Sequence, residues 1–347
     1  MAVVGASPLG TERGARQLGA ERGEPAVDAL AAADDIDVVH ICTPNSTHAA
    51  LTEVVLAAGK AVVCEKPLAT SVADAALVTE QAAAQRLVAA VPFVYRFYPS
   101  VREARARIAA GDAGALWLLH GSYLQDWLAG ADLTNWRVDP ELGGASRAFA
   151  DIGVHWCDLM EFTTGHRITR LSATLGSAFA ERPGIGGVQP AVTEDGAVVT
   201  FETDLGAIGS LVVSQVSPGR KNRLWFSFDG AAQSLAFDQE VPDSLWVGAR
   251  AENRMLMRGP DSFGPAAQAY SRLPAGHPQG YQDAFSAFVA DVYAALAGDV
   301  PDGLPTFADG LRAAHLTEAV VAAATSRTWV DVPSPAHVAT PALARQR

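Results

Sequence analysis

The chain has 347 residues, 49% of them hydrophobic and 18% charged, with a net charge of −12. That length is enough for two domains with separate cores, and the balance is that of a globular protein. The acidic charge argues against nucleic acid as a partner, and no stretch nears the roughly 18 apolar residues of a membrane span.

Ala2-Val3-Val4-Gly5 reads as a short strand, followed by a weak helix over residues 9–18 that Gly10 and Gly14 interrupt. Residues 26–33 are helical and stop at Asp34-Asp35. Asp37-Val38-Val39-His40-Ile41-Cys42 is an apolar, buried strand. A helix over 47–58 ends at Gly59 and leads into the strand Ala61-Val62-Val63-Cys64. Ser71 is a good N-cap for an alanine-rich helix to about residue 84, and residues 87–93 form another strand. Strands alternating with helices of this length predict βαβ units and a parallel sheet.

Beyond residue 93 the pattern changes. Residues 101–110 form an amphipathic helix with Arg102, Glu103 and Arg105 outward, 115–127 a strand, and 130–144 a loop marked by Gly and Pro. A helix carrying Asp151 and His155 runs to about residue 162. From 168 to about 257 strands dominate, with alternating runs such as Leu211-Val212-Val213-Ser214-Gln215-Val216, which predicts a largely antiparallel sheet with one wetter face. Helices return at 281–296 and 307–324, and Trp329-Val330-Asp331-Val332 is a closing strand. The tail from 334 to 347 is rich in Pro and Ala and frays at its end.

Cys42, Cys64 and Cys157 cannot pair completely and show no C-x-x-C spacing, which points to reduced cysteines in a cytoplasmic protein. No signal peptide opens the chain as given.

Three groups of residues carry chemistry. Thr43-Pro44-Asn45 with His48 follows a strand; it reads equally as a strand-to-helix turn and as a cofactor loop, because α/β sheets bind ligands outside the carboxyl ends of their strands. Glu65-Lys66-Pro67 ends the next strand, where a lysine partly withdrawn from water serves as a proton donor or acceptor. Alone, it reads more readily as a solvated turn residue. Asp151-Ile152-Gly153-Val154-His155 places a carboxylate and an imidazole at i and i+4 on one helix face. Such a carboxylate raises the basicity of the imidazole and favours proton transfer near neutral pH. Alone, the pair reads more readily as a surface ion pair. The same spacing suits a metal, but no third ligand is spaced for one.

Together these three groups resemble the glucose–fructose oxidoreductase / inositol dehydrogenase / MocA family of NAD(P)-dependent enzymes. Tyr95-Arg96-Phe97, Gly143-Gly144 and Pro305-Thr306-Phe307-Ala308-Asp309-Gly310 extend the resemblance over nearly the whole chain, in order and spacing. The resemblance implies an α/β protein. It implies an incomplete Rossmann-type parallel sheet domain over 1–93 that is expected to bind NAD or NADP. An α+β domain over 94–333 with a large, open-faced, mainly antiparallel sheet holds the substrate. The open face implies a homodimer or homotetramer, since a large apolar face left in water is a liability.

By position, Lys66 is expected near the nicotinamide and the reacting hydroxyl, His155 as the main acid/base, and Asp151 as the residue that orients substrate or tunes both. Cofactor contacts are expected from Ser7, Thr43, Pro44, Asn45, His48, Glu65, Lys66 and Pro67, with a cis Lys66-Pro67 bond. A sugar or polyol needs hydrogen-bonding groups beside an aromatic platform. Tyr95, Arg96, Trp127, Asn135, Trp136, Arg137 and Asp158 offer both, Trp136 being equally suited to the core. The Gly276-His277-Pro278 turn adds His277.

The sequence departs from the family in two places. The first strand, its G-x-G-x-x-G loop and the following helix are absent, and Met1 falls where the family's second strand begins. The resemblance therefore implies roughly 30 further residues upstream, lost through a late start or a truncated gene; such a segment could also hold an export signal. Without that strand its neighbours have unpaired edges. After the second strand stands Ser7 rather than Asp or Glu, which permits NADP as well as NAD. The expected activity is oxidation of a sugar, inositol or polyol hydroxyl. The alternatives are an NAD-dependent glycosidase of the same fold, and a non-catalytic or cofactor-defective regulator that binds sugar or nucleotide.

Overall fold

The computed structural model describes residues 1–184 and 187–333; the tail expected from 334 onward lies outside the described residues. Short parallel strands and helices alternate first: β1 (Ala2–Val3), α1 (Pro8–Leu18), β2 (Arg22–Gly23), α2 (Val27–Ala32), β3 (Val38–Ile41), α3 (His48–Ala57), β4 (Ala61–Cys64), α4 (Val72–Gln85) and β5 (Ala89–Ala90). Local sequence accounts for their limits. Ser7 caps α1 with Pro8 in its first turn, and Gly19 ends it in a left-handed conformation. Ser71 caps α4 by accepting from the Asp74 N–H, as these residue types do when they satisfy a helix's free amides. The parallel strands form two separate sheets, β1–β2 and β3–β4–β5. Within the second, β4 is buried along its whole length, as a strand covered on both faces must be.

The expected strand over 87–93 shrinks to Ala89–Ala90. The Val91 N–H bonds to the Pro305 carbonyl instead, and the chain then tightens into a 3-10 turn, Val94–Phe97.

A second unit begins with α5 (Pro99–Ala109) and is built on one nine-stranded sheet. Its strands are β6 (Leu116–Leu124), β7 (Ile168–Gly176), β10 (Gly196–Thr203), β11 (Ile208–Ser214), β12 (Arg223–Gly230), β13 (Gln233–Asp238), β14 (Ser244–Ala249), β15 (Asn253–Met257) and β16 (Val330–Asp331). Between β7 and β10 lies a separate hairpin, β8 (Glu181–Gly184) with β9 (Gly187–Pro190). The sheet order is β15-β14-β13-β12-β6-β11-β10-β7-β16, antiparallel except for β6 beside β11. The predicted alternation is present: Leu211 and Val213 point into the core, whereas Val198, Ile208 and Val212 lie on an open face. The remaining helices, α6 (Pro140–Gly143), α7 (Val154–Thr164), α8 (Pro265–Gln268), α9 (Tyr281–Leu296) and α10 (Phe307–Ser326), complete the unit. α10 packs on both α4 and β7, so the C-terminal part of the chain returns to the first unit.

Arg102 and Glu103, expected on the surface, are buried. Packing of α8 against α5 covers them. Both have partners, Arg102 Nη2 alone lacking one among the described residues: Arg102 donates to the Arg96 carbonyl at 2.7 Å and lies over the Tyr270 ring, while Glu103 accepts from the Gly264 N–H at 2.7 Å. Buried charges persist only with such partners.

Candidate active site

Two strand ends of the small parallel sheet border one cleft. Cys42, Thr43 and Pro44 turn across the carboxyl end of β3, and Glu65 and Lys66 leave the end of β4 beside them. With Asn45, His48, Trp136 and Arg137 they line a cavity of about 190 Å³. Open α/β sheets take ligands at this edge.

The walls of the cleft are fastened by buried polar groups. His48 is fully buried, with its ring nitrogens 2.7 Å from the Pro67 carbonyl and 2.8 Å from that of Thr43. It thereby joins the two strand-end turns. Asn45 donates its side-chain amide to the Gly143 carbonyl at 2.9 Å, across 98 residues of sequence. Gly143 itself tolerates no side chain, because a Cβ there would sit 2.7 Å from the Arg137 carbonyl, and Gly144 adopts φ +100°, a region that favours glycine. The Lys66-Pro67 bond is cis.

Lys66 reaches over to the second unit. Its Nζ donates to the Asp151 carbonyl at 2.7 Å and to Asp151 Oδ1 at 2.5 Å. The Arg137 Nε lies 3.4 Å from the same carboxylate oxygen, and Gln215 donates to Oδ2 at 2.7 Å. Burial pushes the Asp151 carboxyl up, but the Lys66 and Arg137 charges more than cancel that and hold it below the usual carboxylate range. The group is therefore an anion at neutral pH.

Asp151 does not sit in a regular α-helix, as the i,i+4 spacing suggested. It lies in a π-helical turn, Phe149–Gly153, that runs into α7. Glu194 holds the start of this segment by accepting from Ser146 Oγ at 2.7 Å and from the N–H groups of Arg147 and Phe149 at 3.0 Å each. A negative charge at a helix's N-terminal end is favourable, because the free amides there carry partial positive charge.

His155 departs further from expectation. Its Nδ1 is buried with no hydrogen-bond partner among the described residues, and its ring packs edge-on against Phe93 and Tyr95 at 5.6 and 5.3 Å. The adjacent carboxylate was expected to raise its basicity. Instead, burial brings the pKa down to about 3, the Lys66 charge acts in the same direction, and Asp151 opposes only in part. The imidazole is neutral at neutral pH and keeps a lone pair to receive a proton.

The structure disperses the expected substrate residues. Trp136 and Arg137 line the cleft, the guanidinium lying 4.3 Å from the centre of the Trp136 ring, so Trp136 is not a core residue. Asn135 caps the short turn Trp136–Val138 by accepting from the Arg137 N–H. Trp127 donates to Gln125 at 2.8 Å. Tyr95 is buried behind His155, and its hydroxyl is shared with Tyr123 and Asn222. Arg96 and Asp158 pair with each other, and Arg96 also donates to Asp309 and to the Gly303 carbonyl, which leaves the buried guanidinium committed. His277 stands apart from these residues. It is exposed, Arg258 holds only its carbonyl, and among the described residues no hydrogen bond, ion pair or ring contact joins its imidazole to the cleft. Ser7 is exposed and caps α1, outside the lining of the cleft.

Sequence reasoning missed Gln215 and Tyr281. Gln215 carried a signal, a polar residue in the inward register of an alternating strand. Tyr281 carried none; it opens α9, is 46% exposed, packs its ring against Tyr95, and feels the charges of Glu65 and Asp151.

Residues 1–93 match the model of an oxidoreductase family with an NAD-binding Rossmann fold, and residues 101–236 match that of the GFO/IDH/MocA C-terminal domain. The chain is 29% identical to a levoglucosan dehydrogenase of Pseudarthrobacter phenanthrenivorans, over 95% of this chain and 89% of that one. Among solved structures, it is 34% identical to an oxidoreductase domain protein from Kribbella flavida, with a TM-score of 0.87 over 96% of this chain and 90% of that one. It is 30% identical to a levoglucosan dehydrogenase solved with NADH and L-sorbose, with a TM-score of 0.89 over 96% of this chain and 89% of that one.

Proposed function

Since the chain belongs to the GFO/IDH/MocA family of oxidoreductases, we propose that it oxidises a hydroxyl of a sugar, inositol or related polyol at the cleft lined by Lys66, with Asp151 and His155 as its partners. Use of NAD or NADP and action on sugars or polyols follow from the family; the site assignment is ours. The observation that carries it is the Lys66 ammonium held on Asp151 beside a neutral, unpartnered His155, at the carboxyl edge of a parallel sheet.

Thr43-Pro44-Asn45 on one side and Glu65-Lys66-Pro67 on the other give the cleft polar walls that fit the nicotinamide end of the coenzyme. Ser7, neutral where a carboxylate would favour NAD, supports use of both NAD and NADP. When bound, the nicotinamide accepts the hydride from the carbon that bears the hydroxyl. The protein's own groups manage the proton. His155, neutral, takes it from the hydroxyl. Lys66 has three N–H donors; Asp151 occupies two, and the third is free to meet the substrate oxygen as negative charge grows on it. Asp151 fixes the ammonium in place, so little reorganisation accompanies the step. Trp136 offers an aromatic face and Arg137 and Tyr281 offer hydrogen bonds to the rest of the sugar.

Incubation with NAD⁺ or NADP⁺ and levoglucosan, glucose or an inositol is expected to accumulate reduced coenzyme, read by its absorbance. Glycoside cleavage without net reduced coenzyme would identify the glycosidase instead. Neither reaction, with ligand binding intact, would leave a binding protein.

The open sheet face supports a homodimer or homotetramer. Val198, Ile208 and Val212 are 51%, 53% and 41% exposed there, and desolvating such a face on a second copy is favourable. Val212→Glu is expected to shift the mass measured by light scattering toward the monomer; an unchanged mass would remove this face from the interface. Among the described residues no helix is long and apolar enough to cross a membrane. The unpaired state of all three cysteines supports a reducing, cytoplasmic setting.

A further inference from the structure

Gln215 stands at a position built for an apolar side chain. Along β11 the inward residues are Gly209, Leu211 and Val213, and Gln215 is the next in that register. It is fully buried. Its backbone is pinned on both sides, its N–H donating to the Asp195 carbonyl at 2.9 Å and its own carbonyl accepting from the Leu128 N–H at 3.2 Å.

The side chain has one hydrogen bond, from Nε2 to Asp151 Oδ2 at 2.7 Å. Its Oε1 is buried with no partner among the described residues. Asp151 dictates that orientation. A carboxylate only accepts, so the amide must turn its NH₂ toward Asp151 and leave its oxygen unsatisfied. An unsatisfied buried acceptor is costly, and a methionine of similar size would avoid it. Packing therefore gives no reason for an amide here, whereas Asp151 does. With Oδ2 held by Gln215, the carboxylate cannot rotate, and Oδ1 stays presented to Lys66.

We propose that Gln215 is a positioning residue, which fixes the Asp151 carboxylate and, through it, the Lys66 ammonium in the oxidation. This rests on the site assigned above. The ionisable groups facing Asp151 are Lys66 from the end of β4, Arg137 from the turn after Asn135, His155 from α7, Tyr123 from β6 and Tyr281 from α9. None of them approaches Oδ2 as a hydrogen-bond donor among the described residues.

Three variants test this: Gln215→Met, Gln215→Glu and Asp151→Asn, with the pair Gln215→Glu/Asp151→Asn as control. The first readout needs no coenzyme or substrate. In Gln215→Glu the introduced carboxyl lies buried against Asp151, so its pKa in the folded state rises above its unfolded value of about 4.3. Stability relative to wild type is then present at low pH, where the introduced carboxyl keeps its proton and donates as the amide did. It is lost as pH rises through the folded-state pKa. The melting temperature of Gln215→Glu should therefore fall against wild type from about pH 4 upward, and the fall should shrink in the Asp151→Asn background.

The second readout is turnover, with NAD⁺ and levoglucosan as the probe pair. Gln215→Met should lower kcat about 10- to 100-fold, the range for losing a hydrogen bond to a charged group, with KM within about threefold and the melting temperature kept or raised. A merely structural glutamine predicts the opposite split, with a lower melting temperature and normal kcat. A pH-independent difference in melting temperature for Gln215→Glu, or wild-type kcat in Gln215→Met while Asp151→Asn is impaired, overturns the positioning role and leaves the site standing. Wild-type kcat in Asp151→Asn overturns the site assignment and the positioning role with it.

Discussion

Lys66→Met is expected to lower kcat by about 10³-fold, the scale on which a positioned proton-handling or charge-stabilising group contributes. Three observations set this expectation. Among the described residues Lys66 is the only lysine lining the cleft, two of its donors are spent on holding Asp151, and its third is available to the reacting oxygen. Methionine keeps the length of the stem and removes the charge. The loss should appear in kcat more than in KM, because the interaction strengthens as the oxygen gains charge. The substitution also leaves Asp151 with a weaker set of partners. Its carboxyl should take up a proton at higher pH than in wild type, moving the acid limb of the kcat/KM profile upward. Stability should drop by about 1–3 kcal/mol, as when a buried group loses its partner; a melting curve separates this from the kinetic effect. A variant with kcat within threefold of wild type would refute the role of Lys66.

His155→Phe should cost about 10²- to 10⁴-fold in kcat through loss of the proposed base, and it has a second, independent signature. The folded imidazole has a pKa of about 3, whereas in the unfolded chain it is about 6.5. Between these values the unfolded state holds a proton that the folded state lacks. Stability therefore rises with pH across this window, is complete above about pH 6.5 and is lost progressively as pH falls toward 3. Phenylalanine has no proton to bind and suits the edge-on packing against Phe93 and Tyr95. The variant should lose less stability than wild type between pH 6.5 and 4, by several kcal/mol at the acid end of the full shift. Parallel acid limbs for the two proteins would show that His155 is not a buried neutral group.

Much of the fold is legible in the sequence because hydrophobic periodicity and caps are local. α9 runs from Tyr281 to Leu296, the limits read from the sequence, and α4 begins after Ser71, where the capping chemistry places it. The strand over 87–93 was overestimated because the partner that shortens it, Pro305, lies more than two hundred residues away. The same holds for Arg102 and Glu103, whose helical pattern looks solvated until α8 covers them.

At the site, the motif residues nearest the strand ends were legible and their neighbours were not. Thr43, Asn45 and Lys66 follow apolar strands, and chain order alone puts them on one edge. Arg96 and Asp158 carry hydrogen-bonding groups that a sugar can use, and that much is visible in the sequence; their mutual pairing, with Asp309, is a tertiary fact. The reversal at His155 has the same origin. A carboxylate four residues away is visible in the sequence, but the enclosure that outweighs it is built from Phe93, Tyr95 and the rest of the core.

Lys66 and Asp151 lie 85 residues apart and belong to different halves of the molecule, as do Asn45 and Gly143. The proposed reactive centre is thus a seam, not a pocket within either half. Each half can keep its helices and strands while the seam parts by an ångström or two, and chemistry stops at that point. Turnover is then the most sensitive gauge of how the halves sit. Under mild denaturant it should vanish while backbone order persists, and distant substitutions on α10, which packs on both halves, can slow the enzyme without touching its reacting groups.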